Sequence, residues 1–223
     1  MSHSLNLAVV DADGAIRDAA EAAGLDRSDF LKKSVLAGGG LLAGSAMFTG
    51  LLSSAEAAIS TTRKSAANDV KILNYALTLE FLEAEFYKQA VANQAYGASA
   101  DLKVFAETVA KHEATHVTFL KKALGAKAIK SPKFDFGDAT GAAKFAATAQ
   151  VLEETGVLAY HGQVKNISVP GTLSAAATIA TVEARHAAWI RFINGENPAP
   201  SAFDKLKSEK AILKAVGETG FLG

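Results

Sequence analysis

The 223-residue sequence has no cysteine, so disulfides, thiolate metal sites and cysteine nucleophiles are all excluded. It has only 4 prolines, which leaves long stretches free to run as uninterrupted helix. Neither sign of charge dominates: Lys+Arg and Asp+Glu are both 23, so there is no basic field for nucleic acid and no acidic tail. Long runs also lack the alternation of β-branched residues that marks strands. Against these absences stand abundant alanine and 49% hydrophobic content, enough for one sizeable core. The expectation is an all-α domain with appendages.

Residues 1–57 read as an export signal. A polar leader ends in Asp26 to Lys33, and the 18-residue, Gly-rich apolar run Val35 to Leu52 follows. Ala55-Glu56-Ala57 then supplies the small-x-small pattern that signal peptidase cuts. Arg27, Phe30, Leu31 and Lys32 resemble a twin-arginine signal, with Ser28 in place of the second arginine. Cleavage there puts the mature N-terminus near Ala58 and leaves 19 basic against 16 acidic residues, a charge of +3. The protein is therefore expected to be exported, periplasmic or extracytoplasmic. Retained uncleaved, residues 35–52 are just long enough to anchor it in a membrane.

After a Ser/Thr/Ala linker over residues 58–68, four helical patterns follow within residues 69–203: Asp69 to about Gln94, Asp101 to Leu124, Gly141 to Val164, and Thr172 to Asn194. The short turn at Tyr96 to Ser99 makes the first two antiparallel. Ala126 to Thr140 has no helical period; fifteen extended residues span roughly 50 Å. A helix of 24 residues is about 36 Å long, so this crossover lets the third helix start parallel to the second. Residues 204–223 are a C-terminal extension, and Ala202 to Val216 is a candidate short fifth helix.

The second helix carries Glu113 and His116, and the fourth carries Glu183 and His186, the same Glu-x-x-His spacing 70 residues later. Residues three apart share a helix face, so each carboxylate and imidazole can reach one point. Each pair lies in an apolar stripe: Leu102, Phe105, Val109, Leu120 and Leu124 for the first, Ala176, Ile179, Ile190 and Ile193 for the second. Buried unpaired carboxylates are costly, so a cationic partner is expected. On the first helix, Glu80 interrupts the stripe Leu73, Ala76, Leu77, Ala84, Tyr87, Val91, whereas Glu83 and Glu85 fall off it and are expected to be solvated. On the third, periodicity does not choose between Glu153 and Glu154. The repeat does, because Glu80 precedes Tyr87 by seven residues and Glu153 precedes Tyr160 by seven. The chain thus reads as a duplicated two-helix unit. His112 and His161, at stripe edges, are expected to be ordinary polar residues, and Trp189 a core residue.

Four carboxylates and two imidazoles converging at mid-bundle form the ligand set of a carboxylate-bridged dinuclear iron or manganese centre. The charges close, since four carboxylates balance two divalent cations, and hard oxygen ligands with one nitrogen per metal suit Fe or Mn. The segments NYALTLEFLEAEFYKQA, AQVLEETGVLAYHG and VEARHAAWIRF resemble the ferritin-like superfamily, most closely its exported bacterial branch related to plant desiccation-associated proteins, over about Asn68 to Phe203. The resemblance implies a ferritin-like four-helix bundle in which Glu80 and Glu153 are terminal ligands, Glu113 and Glu183 bridging ones, and His116 and His186 one ligand per metal. Tyr87 and Tyr160 would hydrogen-bond carboxylates across the bundle and are the candidate catalytic side chains. Two Fe or two Mn ions are the implied cofactors, with O2 or peroxide as the reaction partner and a homodimer compatible. Met1 and Met47 both precede the cut, which excludes a methionine-held haem. Ferroxidase or peroxide-detoxifying activity follows from this reading. Its rivals are manganese-catalase-like disproportionation and a non-catalytic envelope stress or desiccation protectant whose metals staple the bundle.

Overall fold

A computed structural model describes residues 59–222. Among them are five α-helices and no strand: α1 (Ala66–Ala92), α2 (Ala100–Leu124), α3 (Phe145–Gln163), α4 (Pro170–Ile193) and α5 (Glu209–Glu218). None is long and apolar enough to cross a membrane. The apolar run at 35–52 lies outside the described residues, as does the proposed cleavage site.

The helix starts are chemically marked. Ser65, Ser99 and Ser208 accept the backbone N–H of Asn68, Leu102 and Ala211 respectively, and Pro170 opens α4, where its missing N–H costs nothing. α1 therefore begins three residues before the expected Asp69, because Ser65 is the better cap. α3 begins at Phe145 rather than Gly141, since residues 141–144 close a turn in which Lys144 and Phe145 both donate to the Gly141 carbonyl. α5 starts at Glu209, seven residues after the expected Ala202. The segment before it instead crosses α3, with Lys207 N–H donating to the Leu158 carbonyl. Gly162 makes this crossing possible: a Cβ there would lie 1.9 Å from the Lys207 carbonyl oxygen.

α1 packs chiefly on α2, and α3 chiefly on α4, so the described residues form two antiparallel helical hairpins joined by the crossover. Asn74 pins the crossover's start by donating to the Lys127 carbonyl and accepting Ile129 N–H; Asn93 holds its end through Thr140. The connection thus runs alongside α1 for about 28 Å. It carries two short 3-10 turns, Gly125–Lys127 and Gly137–Thr140, and sends Phe136 into the core against Phe86. Phe86, Phe105, Phe136 and Phe145 with Tyr87 fill one end of the interior. Leu77, Leu120, Ile179 and Tyr160 fill the other. The acidic layer lies between these two apolar clusters.

Candidate metal centre

Each helix of the bundle delivers its polar side chains from the middle of its length. α1 contributes Glu80, Glu83 and Tyr87, one helical face at spacings of three and four. α2 contributes Glu113 and His116, α3 Glu153 and Tyr160, and α4 Glu183 and His186. Glu80, Glu113, Glu153 and Glu183 are each 0% exposed, and both histidines are buried. All eight residues singled out in the sequence are thus brought to one interior. Glu153 faces in, whereas Glu154 turns outward to an ion pair with Arg191 at 2.7 Å.

Two clusters of donor atoms result. Glu80, Glu113, His116 and Glu183 form one, Glu113, Glu153, Glu183 and His186 the other, and Glu113 and Glu183 belong to both. His116 Nδ1 lies 3.2 Å from Glu80 Oε2, 3.2 Å from Glu113 Oε2 and 3.1 Å from Glu183 Oε1. His186 Nδ1 lies 3.2 Å from both Glu113 Oε1 and Glu153 Oε2. One ring nitrogen carries at most one hydrogen and cannot satisfy two or three carboxylates. Accordingly Glu113 Oε1 and both oxygens of Glu183 are buried without a hydrogen-bond partner, although Glu183 Oε1 and Glu113 Oε1 each approach an imidazole nitrogen. Donors held about 2.2 Å from a shared ion at right angles are about 3.1 Å apart, which is the spacing found here. The donor atoms suit metal ions that accept mixed oxygen and nitrogen ligands, and Glu113 and Glu183 would contribute to both donor groups.

The surroundings reinforce this. Tyr87 donates to Glu153 Oε1 and Tyr160 donates to Glu80 Oε1, so each tyrosine of one hairpin orients a carboxylate of the other. Burial and neighbouring carboxylates raise both phenols well above their ordinary range, keeping them protonated as donors. Burial, then neighbouring carboxylates, likewise raises Glu113 and Glu183. For His116 burial works against the charged form, but contact with Glu113, Glu183 and Glu80 prevails and pushes it up to about 12.

Two neighbours depart from the sequence reading. Glu83, expected in solvent, is 3% exposed, because α1 is covered by α2, by the second hairpin and by the crossover, and so has no single buried stripe. Its spacing of three from Glu80 was the available signal. His112, expected as an ordinary polar residue, places Nδ1 2.8 Å from His186 Nε2. The contact between the two rings holds the His186 imidazole in place with Nδ1 turned to the carboxylates. That contact depends on the register between α2 and α4, which no local pattern encodes. Trp189, expected in the core, is half-buried at its margin and packs edge-on against Phe105.

The sequence profile of a family described as Ferritin-like domain matches residues 68–196, more than half of the chain and all the residues of the site. No individual curated protein matches at a significant level.

Proposed function

The chain belongs to the ferritin-like domain family, and from that premise we propose that it is an exported oxidoreductase with a dinuclear Fe or Mn centre, held by Glu80, Glu113, His116, Glu153, Glu183 and His186. The observation that carries this reading is the set of three buried carboxylate oxygens on Glu113 and Glu183 that have no hydrogen-bond partner, two of which, Glu183 Oε1 and Glu113 Oε1, face imidazole nitrogens. A purely structural interior would not keep such groups, because each lacks compensation for its desolvation.

Bound there, a pair of Fe or Mn ions supplies one-electron redox steps toward dioxygen or peroxide, giving ferroxidase or peroxide-detoxifying chemistry. The protein's own part is to hold and orient. Glu113 and Glu183 reach both positions, and the two tyrosines fix the terminal carboxylates from across the bundle. The apolar clusters on either side exclude water and strengthen every charge interaction within. His112 holds His186 with Nδ1 free to bind. Export rests on the order of polar, apolar and small residues at 1–57.

The test is turnover by the full-length protein loaded with Fe(II) or Mn(II), followed as oxygen or peroxide consumption. The expected result is multiple turnovers that Glu113→Ala abolishes. Metal-loaded protein that consumes neither oxidant would leave the centre as a staple for the bundle and the protein as a non-catalytic protectant.

A further inference from the structure

Six ligands account for the centre as a family site, but a fifth carboxylate shares its interior. Glu83 is 3% exposed, and no lysine or arginine pairs with it among the described residues. The charged groups acting on it most strongly are Glu183, Glu153, Glu113 and Glu80, all of them proposed ligands. Its place is made by a glycine. A Cβ built on Gly156 of α3 would lie 3.4 Å from Glu83 Oε1 and 3.2 Å from Glu183 Oε2, so the glycine lets both carboxylates close on the same point of α3, and a methyl there would press on Glu183. Glu183 Oε2 is one of the buried oxygens with no hydrogen-bond partner.

The internal repeat sharpens the point. Glu80 and Tyr87 recur 73 residues later as Glu153 and Tyr160, and by the same offset the counterpart of Glu83 is Gly156. One hairpin carries a carboxylate where the other carries only a hydrogen, and the two positions meet in space. A second carboxylate at 156 would have to occupy the volume already filled by Glu83. The duplicated unit is thus asymmetric at this position.

Resting on the dinuclear reading above, we propose that Glu83, which lies outside the two groups of converging donors, moves in beside Glu183 along the face left open by Gly156 to become a seventh protein ligand when metal binds. It makes the two metal positions inequivalent, because the second hairpin has no matching donor.

The test uses the full chain loaded with Co(II), whose d–d absorption reports coordination number, with Co(II) and Mn(II) affinities measured by equilibrium dialysis. Glu83→Leu removes the donor at similar volume, Gly156→Ala closes the open face, and Glu85→Gln, on the outer side of α1, is the control. Circular dichroism of each metal-free variant checks that it folds. The expected result is that Glu83→Leu and Gly156→Ala each weaken binding by at least about tenfold. Both should also change the Co(II) band intensity, while Glu85→Gln does neither. A wild type that binds two ions while Glu83→Leu matches it in spectrum overturns the proposal whatever its affinity, and leaves the six-ligand centre standing. A wild type that binds no metal overturns the dinuclear reading itself.

Discussion

At the scale of the residue, the centre is a problem in charge. Glu80, Glu83, Glu113, Glu153 and Glu183 share one interior, and among the described residues their only ion-pair contacts are with His116 and His186. Burial and mutual repulsion raise Glu83, Glu113 and Glu183 above the carboxylate range, and His116 is pushed up to about 12. Groups raised in the folded state bind more protons folded than unfolded, so the stability they contribute is lost as pH rises. The loss begins above the ordinary carboxylate values, near pH 5, and continues through the histidine range. Metal-free protein should therefore melt at progressively lower temperature between pH 5 and pH 9. Metal-loaded protein should show the opposite trend, since ligands must lose protons to bind. Thermal unfolding of both forms across that interval checks this; a metal-free melting temperature that rises with pH would contradict it.

At the scale of the element, the site's precision depends on how the two hairpins are tied. Asp69 on α1 accepts the backbone N–H of Ser168 and of Val169, both at 2.8 Å, immediately before α4. Val169 caps α4 without a side-chain hydrogen bond, so a carboxylate from the other hairpin does that work. Asp69→Ala should cost about 2 to 3 kcal/mol in denaturant unfolding, the scale of hydrogen bonds to a charged acceptor left unmade. A loss below about 0.5 kcal/mol would mean that the α4 N-terminus is held by packing alone. The four bundle helices and the inward placing of their Glu, His and Tyr side chains were legible in the sequence, because Glu-x-x-His spacing and the Glu-to-Tyr interval of seven are properties of a single helix. Choosing Glu153 over Glu154 needed the repeat, since Glu154 lies on an equally apolar-looking stripe until Arg191 is seen beside it. Glu83 was misread because the stripe argument assumes one buried face, whereas Leu79, Leu82 and Phe86 are also buried on α1. The late start of α5 was hidden for a similar reason: the crossing of Lys207 over Gly162 is a contact between segments far apart in the chain.

At the scale of the whole molecule, the fold is two copies of a hairpin that enclose a layer of negative charge between two apolar clusters. Such an interior is a compromise without cations and a gain with them, so metal binding and folding stability should be linked by mass action. At a free metal concentration a hundred times the dissociation constant, one bound ion adds about 2.7 kcal/mol. The most direct measurement of the central claim is metal content per chain by elemental analysis of the purified, Fe- or Mn-loaded protein, with Glu113→Ala beside it. Two equivalents in the wild type, lost in the variant, is the predicted result. No tightly held metal in the wild type after loading with either ion would contradict it, and the buried carboxylates would then have to be explained as protonated acids within a structural core.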